Sequence, residues 1–309
     1  MDIVTCTDHN FIMPTGVMMQ SVCVNNLDSP INFHIISDES LTEKDKEDLN
    51  TVISKFANKD LFFYIVDGNM LSDMPALNNT YVTKATYYRL ELARLLPESV
   101  DKALYLDGDI IVRESLADLW YTDISKYALA AVPDNNTELD LRSGYFNAGV
   151  MLINLNYWRA HKLNKLFYDY IHNNSEKIKF HDQDVLNSVL KDQKLLLPVK
   201  YNLSCGWLWK VSGANKEEYI SQSDDAINDP VIIHYTTGNK PWNKGCRHPY
   251  RHIFLNYKSQ TIWKNTPLIE DRPLKLRISK FFSGILRKFK LIPEIPYGKE
   301  YLPGLKQLE

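Results

Sequence analysis

Four short apolar runs stand at residues 2–7 (DIVTCT), 31–37 (INFHIIS), 61–66 (LFFYIV) and 103–106 (ALYL), and a stretch of helical pattern separates each from the next, near 16–26, 42–57 and 83–95. A chain that alternates strand and helix in this way has few options. Each helix carries the chain back along the sheet, so successive strands lie parallel and helices cover both faces. The expectation is an α/β fold, a mostly parallel sheet flanked by helices. Thr42, with Asp45 three residues on, begins the second helix in a pattern close to a capping box. Further along, 145–154 (YFNAGVMLIN) reads as a buried strand, 156–172 and 184–190 as helices, and 231–236 (VIIHYT) as another strand. No repeat, low-complexity stretch or Gly/Ser linker intervenes, so residues 1–265 read as one domain. Sheets of this kind bind ligands beyond the carboxyl ends of their strands. Asp8, Asp38, Asp67 and Asp107 each follow such an end, a place Asp also takes simply as a turn residue.

The fourth run continues as KALYLDGDII (102–111), two carboxylates separated by one glycine. In a strand, residues two apart share a face and lie roughly 6.7 Å apart. Gly108 lets the backbone curl and bring Asp107 and Asp109 closer. Two carboxylates in one small space repel, and one stays protonated unless a cation sits between them. Oxygen ligands favour Mg²⁺, Ca²⁺ or Mn²⁺. A phosphatase with a nucleophilic Asp is the rival reading. It wants Thr or Val where Ile111 stands, a motif on the first strand rather than the fourth, and a later acidic pair that is missing. P-loop and GxGxxG patterns are absent as well.

Other motifs extend the reading. DIVTCTDHN (2–10), ATYYRL (85–90), the DGD at 107–109, YFNAGVMLINL (145–155), HDQDVLN (181–187) and HYTTGNKPW (234–242) follow in order. The set resembles the glycosyltransferase family 8 enzymes over about residues 1–265, in particular the bacterial lipopolysaccharide α-galactosyl- and α-glucosyltransferases, and more distantly glycogenin. The resemblance implies a single-domain GT-A fold. It also implies a retaining transferase that moves galactose or glucose from a UDP-sugar to a glycan or glycolipid, in cell-surface polysaccharide synthesis.

By that resemblance, Asp107 and Asp109 hold Mn²⁺ (or Mg²⁺) and, through it, the donor diphosphate, with His234 as third ligand. An imidazole beside two carboxylates agrees with Mn²⁺. Cys6 and Asp8 would meet the uracil, Asn10 the ribose, and Lys240 the diphosphate. The family's glycine three residues after the histidine is here Thr237, so Gly238, one later, is its shifted counterpart. Arg89, Asn147, Asp182 and Gln183 would meet the sugar, with Asp184 behind them. Taken singly, these residues have plainer readings: Asn10 or Asp182 as helix caps, Arg89 as a surface cation, His234 as a strand-end hydrogen-bonding residue. Gln183 matches the position nearest the anomeric carbon. An amide oxygen is a poor nucleophile, so front-face transfer is expected, with Gln183 and Asp182 orienting the sugar and stabilising its positive charge.

Composition sets the remaining bounds. The chain has 309 residues, 44% of them apolar, and a formal charge of −2. Nothing in it calls for a nucleic-acid partner. Cys6, Cys23, Cys205 and Cys246 form no CxxC pair and read as reduced intracellular thiols. No basic and apolar leader stands before DIVTCT, so a cytoplasmic chain is expected. Residues 272–309 carry nine Lys or Arg against three Glu, a surplus of six, which leaves −8 on residues 1–271. Within this tail, 274–291 (LKLRISKFFSGILRKFKL) places Ile278, Phe281, Phe282, Ile285 and Phe289 on one helical stripe beside basic residues. Residues 266–309 therefore read as a basic helical tail that lies on an anionic membrane surface, at the inner face of the cell membrane. A catalytically idle nucleotide-sugar-binding protein is one alternative, and the intact motifs argue against it. A sugar nucleotidyltransferase is another. It wants a Gly-rich basic loop after the first strand, where TDHNFIMPTG stands.

Overall fold

The computed structural model describes residues 1–67, 84–135, 144–208, 217–238 and 240–270. Strand β1 (Asp2–Cys6) passes through a 3-10 turn at His9–Phe11 into α1 (Ile12–Asn25), followed by β2 (Ile31–Ser37), α2 (Glu43–Ile53) and β3 (Lys59–Ile65). A 3-10 segment at Lys84–Glu91 runs into α3 (Leu92–Leu95), then β4 (Lys102–Leu106), β5 (Ile110–Val112), α4 (Ala117–Trp120), β6 (Leu129–Pro133) and β7 (Phe146–Asn154). Next come α5 (Leu155–Ala160), α6 (Leu163–Asn174), α7 (His181–Val189), β8 (Lys194–Leu196), β9 (Leu203–Ser204) and α8 (Cys205–Leu208). The elements α9 (Glu217–Asn228), β10 (Ile232–His234) and α10 (Arg251–Ser259) end the series.

The main sheet has seven strands in the order β3-β2-β1-β4-β7-β6-β8. Only β7 runs against its neighbours β4 and β6; the other pairs are parallel. The α/β, mostly parallel reading holds. A three-stranded sheet, β5-β10-β9, sets His234 opposite Ile110. Burial runs unbroken from Phe146 to Ile153 of β7, as it must in a strand covered on both faces. On one face Val4, Tyr105 and Met151 pack with Trp158, Phe167 and Leu186. On the other, Ile3, Leu104 and Leu152 pack with Met18, Val22 and Leu49.

Helix α1 is buried on nearly every side because it is covered from two directions. Met18 and Met19 join the main-sheet core, while Val17 packs with Ile111 and Ile233 of the small sheet. Gly16 gives Trp263 its place: a Cβ there would lie 2.2 Å from the indole ring. The capping box at α2 is present, with Asp45 N–H donating to Thr42 Oγ1 at 3.2 Å and Thr42 N–H to Asp45 Oδ2 at 2.8 Å.

The differences from expectation are local. The first helix starts at Ile12 rather than near Gly16, since Pro14 in its first turns needs no amide hydrogen. The helix expected over 156–172 is two helices, broken where Lys162 takes φ 51°. The pattern at 83–95 is mostly 3-10. Strands β6, β8 and β9 and helices α4, α8, α9 and α10 were not foreseen. Among the described residues no helix is long and apolar enough to cross a membrane. The expected tail helix at 274–291 lies outside the described residues.

Arg159 of α5 fastens the approach to β4. Its guanidinium donates to the carbonyls of Ala93 (3.1 Å), Leu96 (3.2 Å), Pro97 (2.9 Å) and Val100 (2.9 Å). Hydrogen bonds from charged donors contribute about 1.5–3 kcal/mol each, less where water competes. Arg159→Met is expected to lower the unfolding free energy by about 2 kcal/mol, read by urea denaturation, and to speed amide exchange over residues 93–100. An unchanged midpoint would show that water replaces the guanidinium.

Candidate active site

The carboxyl ends of β1, β4 and β6 meet at one edge of the sheet, and β7, running the other way, starts there. Asp107 and Asp109 lie just past β4, and β10 ends at His234. One oxygen of each carboxylate and one ring nitrogen of His234 all lie within 4.8 Å of one another. His234 Nε2 is 3.2 Å from Asp109 Oδ1 and 3.6 Å from Asp107 Oδ2. Two oxygens and an imidazole are a donor set that fits a divalent cation such as Mn²⁺. Gly149 of β7 keeps the space open, since a Cβ there would lie 2.2 Å from His234 Cε1 and 2.6 Å from Asp107 Oδ2.

Fixed cations hold the outer oxygens. Asp107 Oδ1 accepts from Arg89 Nη2 at 2.9 Å and from the Tyr105 hydroxyl at 2.8 Å. Asp109 Oδ2 accepts from Lys240 Nζ at 2.5 Å. Burial alone would raise the Asp109 pKa; Lys240 and His234 outweigh it and hold the carboxyl well below the usual range. Arg89 also sets Nε 3.0 Å from Asp182 Oδ2 and donates through Nη1 to the Ala148 carbonyl at 2.8 Å. Its guanidinium lies 4.5 Å from the centre of the Tyr105 ring. Desolvation works against this charge, yet Asp107 and Asp182 raise its pKa above the ordinary arginine value. Asp182 itself is pushed up by burial, against the opposing pull of Arg89 and of the Thr86 hydroxyl, which donates to it at 2.5 Å.

Beside the triad lies an amide cluster. Gln183 Oε1 accepts from the Ala148 N–H at 3.0 Å and from Asn147 Nδ2 at 3.3 Å. Its Nε2 donates to Asp134 Oδ2 at 2.9 Å. Burial pushes the Asp134 carboxyl up, with Gln183 and Asn147 acting the other way.

A model of glycosyl transferase family 8 matches residues 2–246. The chain belongs to this family. It is 31% identical over 274 residues to General stress protein A of Bacillus subtilis, covering 85% of this chain and 94% of that protein. It is 30% identical over 272 residues to a lipopolysaccharide 1,2-glucosyltransferase of Escherichia coli, covering 84% and 78%. Among solved structures, that of the galactosyltransferase LgtC in complex with donor and acceptor sugar analogs superposes with a TM-score of 0.76 at 26% identity, covering 90% of this chain and 99% of that one. The fold is GT-A, and the protein is a glycosyltransferase.

Most of the residues expected at the site of a family 8 enzyme do gather there. Arg89 is 7% exposed, not a surface cation. Asp182 caps no helix: Phe180 holds the N-cap position of α7, and the carboxylate of Asp184 accepts from the amides of Lys179 (2.6 Å) and Phe180 (2.7 Å). Asp8 accepts from the Asn10 N–H at 2.9 Å, so Asp8 caps the first 3-10 turn, and Asn10 stands exposed beside it. Cys6 is half-buried near Arg89 and Asp107, and desolvation pushes its thiol up to about 12. Gly108 is packed against Thr15 and Phe11, where an added Cβ would lie 2.8 Å and 2.9 Å from their side chains. Gly238 is exposed on the loop after β10. Lys240, expected at the diphosphate, is paired with Asp109. Sequence reasoning missed Asp134, Gly149 and Asn202. Asp134 follows an apolar strand as Asp8 and Asp107 do, and recognising β6 would have found it.

Glycine in a strand ordinarily costs roughly 0.5–1 kcal/mol relative to alanine. Gly149→Ala is expected to leave a folded chain whose Mn²⁺ affinity, read by electron paramagnetic resonance of the free ion, falls at least about tenfold. Unchanged affinity would show that the triad opens away from β7.

Proposed function

We propose that this glycosyltransferase moves a hexose, galactose or glucose, from its UDP conjugate to a hydroxyl of a glycan or glycolipid, retaining the α configuration. The convergence of Asp107, Asp109 and His234 beside the Gln183–Asn147–Asp134 cluster carries the reading. The names of the relatives, lipopolysaccharide glucosyl- and galactosyltransferases, support the hexose and the role in cell-surface polysaccharide synthesis.

Asp107, Asp109 and His234 would hold Mn²⁺, with Mg²⁺ as a weaker substitute. The cation supplies charge neutralisation to the departing diphosphate. Lys240 would leave Asp109 for the diphosphate oxygens. Cys6, Asp8 and Asn10 line the nucleotide side, with Gly108 closing the turn beneath it and Gly238 on the loop opposite. Arg89, Asn147, Asp182 and Gln183 face the sugar. Gln183 Oε1 already accepts from two N–H groups, and its nitrogen donates to Asp134. An oxygen so engaged orients the sugar and stabilises positive charge at the anomeric carbon rather than forming a bond to it. The acceptor hydroxyl would then attack from the face the UDP leaves, forming the new bond to the anomeric carbon as the bond to the β-phosphate oxygen breaks, and that oxygen would take the hydroxyl's proton.

Incubation with UDP-glucose or UDP-galactose and Mn²⁺ is expected to release UDP slowly, and to give an α-linked product once acceptor is added. Chelator should abolish the release. Asp109→Ala should slow it at least about 100-fold, the effect of losing about 3 kcal/mol of transition-state stabilisation. Tight UDP-sugar binding without turnover would make the protein a binding module, and UTP formation from pyrophosphate would make it a nucleotidyltransferase.

For residues 266–309 the proposal is a basic tail that brings the enzyme to lipid-linked acceptors at the inner face of the cell membrane. Seven Lys or Arg lie between 272 and 290 with no acidic residue among them, and each contributes about 1 kcal/mol near anionic lipid. A chain ending at Glu270 is expected to fold and hydrolyse UDP-sugar but no longer sediment with anionic vesicles. Equal sedimentation with and without the tail would end this reading.

A further inference from the structure

Asn202 belongs to none of the motifs above. It follows a single 3-10 turn at Val199–Tyr201 and is 1% exposed. Its Oδ1 lies 3.0 Å from His234 Nδ1, and its Nδ2 lies 2.9 Å from Asn147 Oδ1.

Backbone amides, which can only donate, fix which way these side chains point. The Gly149 N–H is 3.0 Å from one terminal atom of Asn147, so that atom is the oxygen. The Ala148 N–H is 3.0 Å from one terminal atom of Gln183, so that atom too is an oxygen, and the Asn147 nitrogen faces it at 3.3 Å. Two independent anchors thus agree on Asn147. Asn202 must then present its nitrogen to the Asn147 oxygen, and its own oxygen to His234. An amide oxygen only accepts. A hydrogen therefore sits on Nδ1 of His234, and Nε2 is the nitrogen that faces Asp107 and Asp109 and is left to serve as the ligand atom for a cation.

We propose that Asn202 is a positioning residue of the cation site. It holds the ring of His234 in the tautomer and orientation that make Nε2 the ligand atom, and through Asn147 it ties that ligand to Gln183 on the sugar side. The inference rests on the reading of Asp107, Asp109 and His234 as metal ligands. Partners that accept the second N–H of a ligating histidine commonly change metal affinity about 10–100-fold when removed.

The test is Mn²⁺ titration of the full chain, without nucleotide or sugar, followed by the paramagnetic resonance signal of the free ion. His234→Ala is expected to weaken binding; unchanged affinity there would overturn the reading of the triad and this inference with it. Asn202→Ala is expected to weaken Mn²⁺ binding about 10–100-fold, with circular dichroism showing a folded chain. Asn202→Asp keeps an oxygen for His234 Nδ1 and is expected to bind Mn²⁺ at least as tightly as the natural protein. If His234→Ala weakens binding while Asn202→Ala does not, the triad stands and the positioning role of Asn202 falls. It also falls if Asn202→Asp binds as weakly as His234→Ala, a comparison that decides the matter even where Asn202→Ala does not fold.

Discussion

Arg89 is buried between two carboxylates, and the arrangement around it sets the position of nearly everything at the carboxyl edge. Taking an ion out of water costs several kcal/mol, recovered only through close pairing. Here the guanidinium reaches Asp107 beyond β4, Asp182 in α7 and the Ala148 carbonyl in β7, while resting on Tyr105. One side chain therefore joins a 3-10 segment, two strands and a helix. Removing it would leave the buried Asp182 only the Thr86 hydroxyl and the half-buried Asp107 only Tyr105 and His234, and breaking a fully buried ion pair costs about 3–5 kcal/mol.

The same pairing divides the work within each acidic group. Asp107 gives one oxygen to Arg89 and turns the other toward His234; Asp109 gives one oxygen to Lys240 and turns the other toward His234. The inward oxygens converge because the outward ones are held. Two carboxylates on either side of a glycine, read alone, demand some cation. The structure supplies two from outside, Arg89 and Lys240, and turns the inner oxygens toward His234.

What the sequence made legible was whatever a local pattern could express. Strand–helix alternation gave the sheet through β4, and the DGD motif gave two members of the triad. His234 was legible because an apolar strand ends there and because the family resemblance names it. Asp134 was hidden because LAAVP shows no alternation, so β6 went unrecognised and its terminal aspartate with it. Asn202 carried no local signal at all, since its place depends on contacts with residues 55 and 32 positions away. The break at Lys162 depends on a left-handed backbone conformation that its residue type does not announce. The pairing of Lys240 with Asp109 is likewise a tertiary fact, made across 131 positions.

The reversal of β7 has a consequence for how such a site tolerates change. A parallel strand lends a carboxyl-edge site only the loop that follows it, and loops drift in length and shape between relatives. A strand that enters at that edge lends its own first residues. Asn147, Ala148 and Gly149 fall between the paired positions of β7, and their backbone groups turn to the site instead: the Gly149 carbonyl accepts from the Asp107 N–H at 2.9 Å, the Ala148 N–H donates to Gln183 at 3.0 Å, and the Ala148 carbonyl accepts from Arg89 at 2.8 Å. The wall beside Asp107, Asp109 and His234 is thus strand rather than loop, and positions built on strands scatter less than those built on loops. Loops around it can change in length and shape while the spacing between the Asp107–Asp109–His234 group and the Gln183–Asn147–Asp134 cluster stays the same.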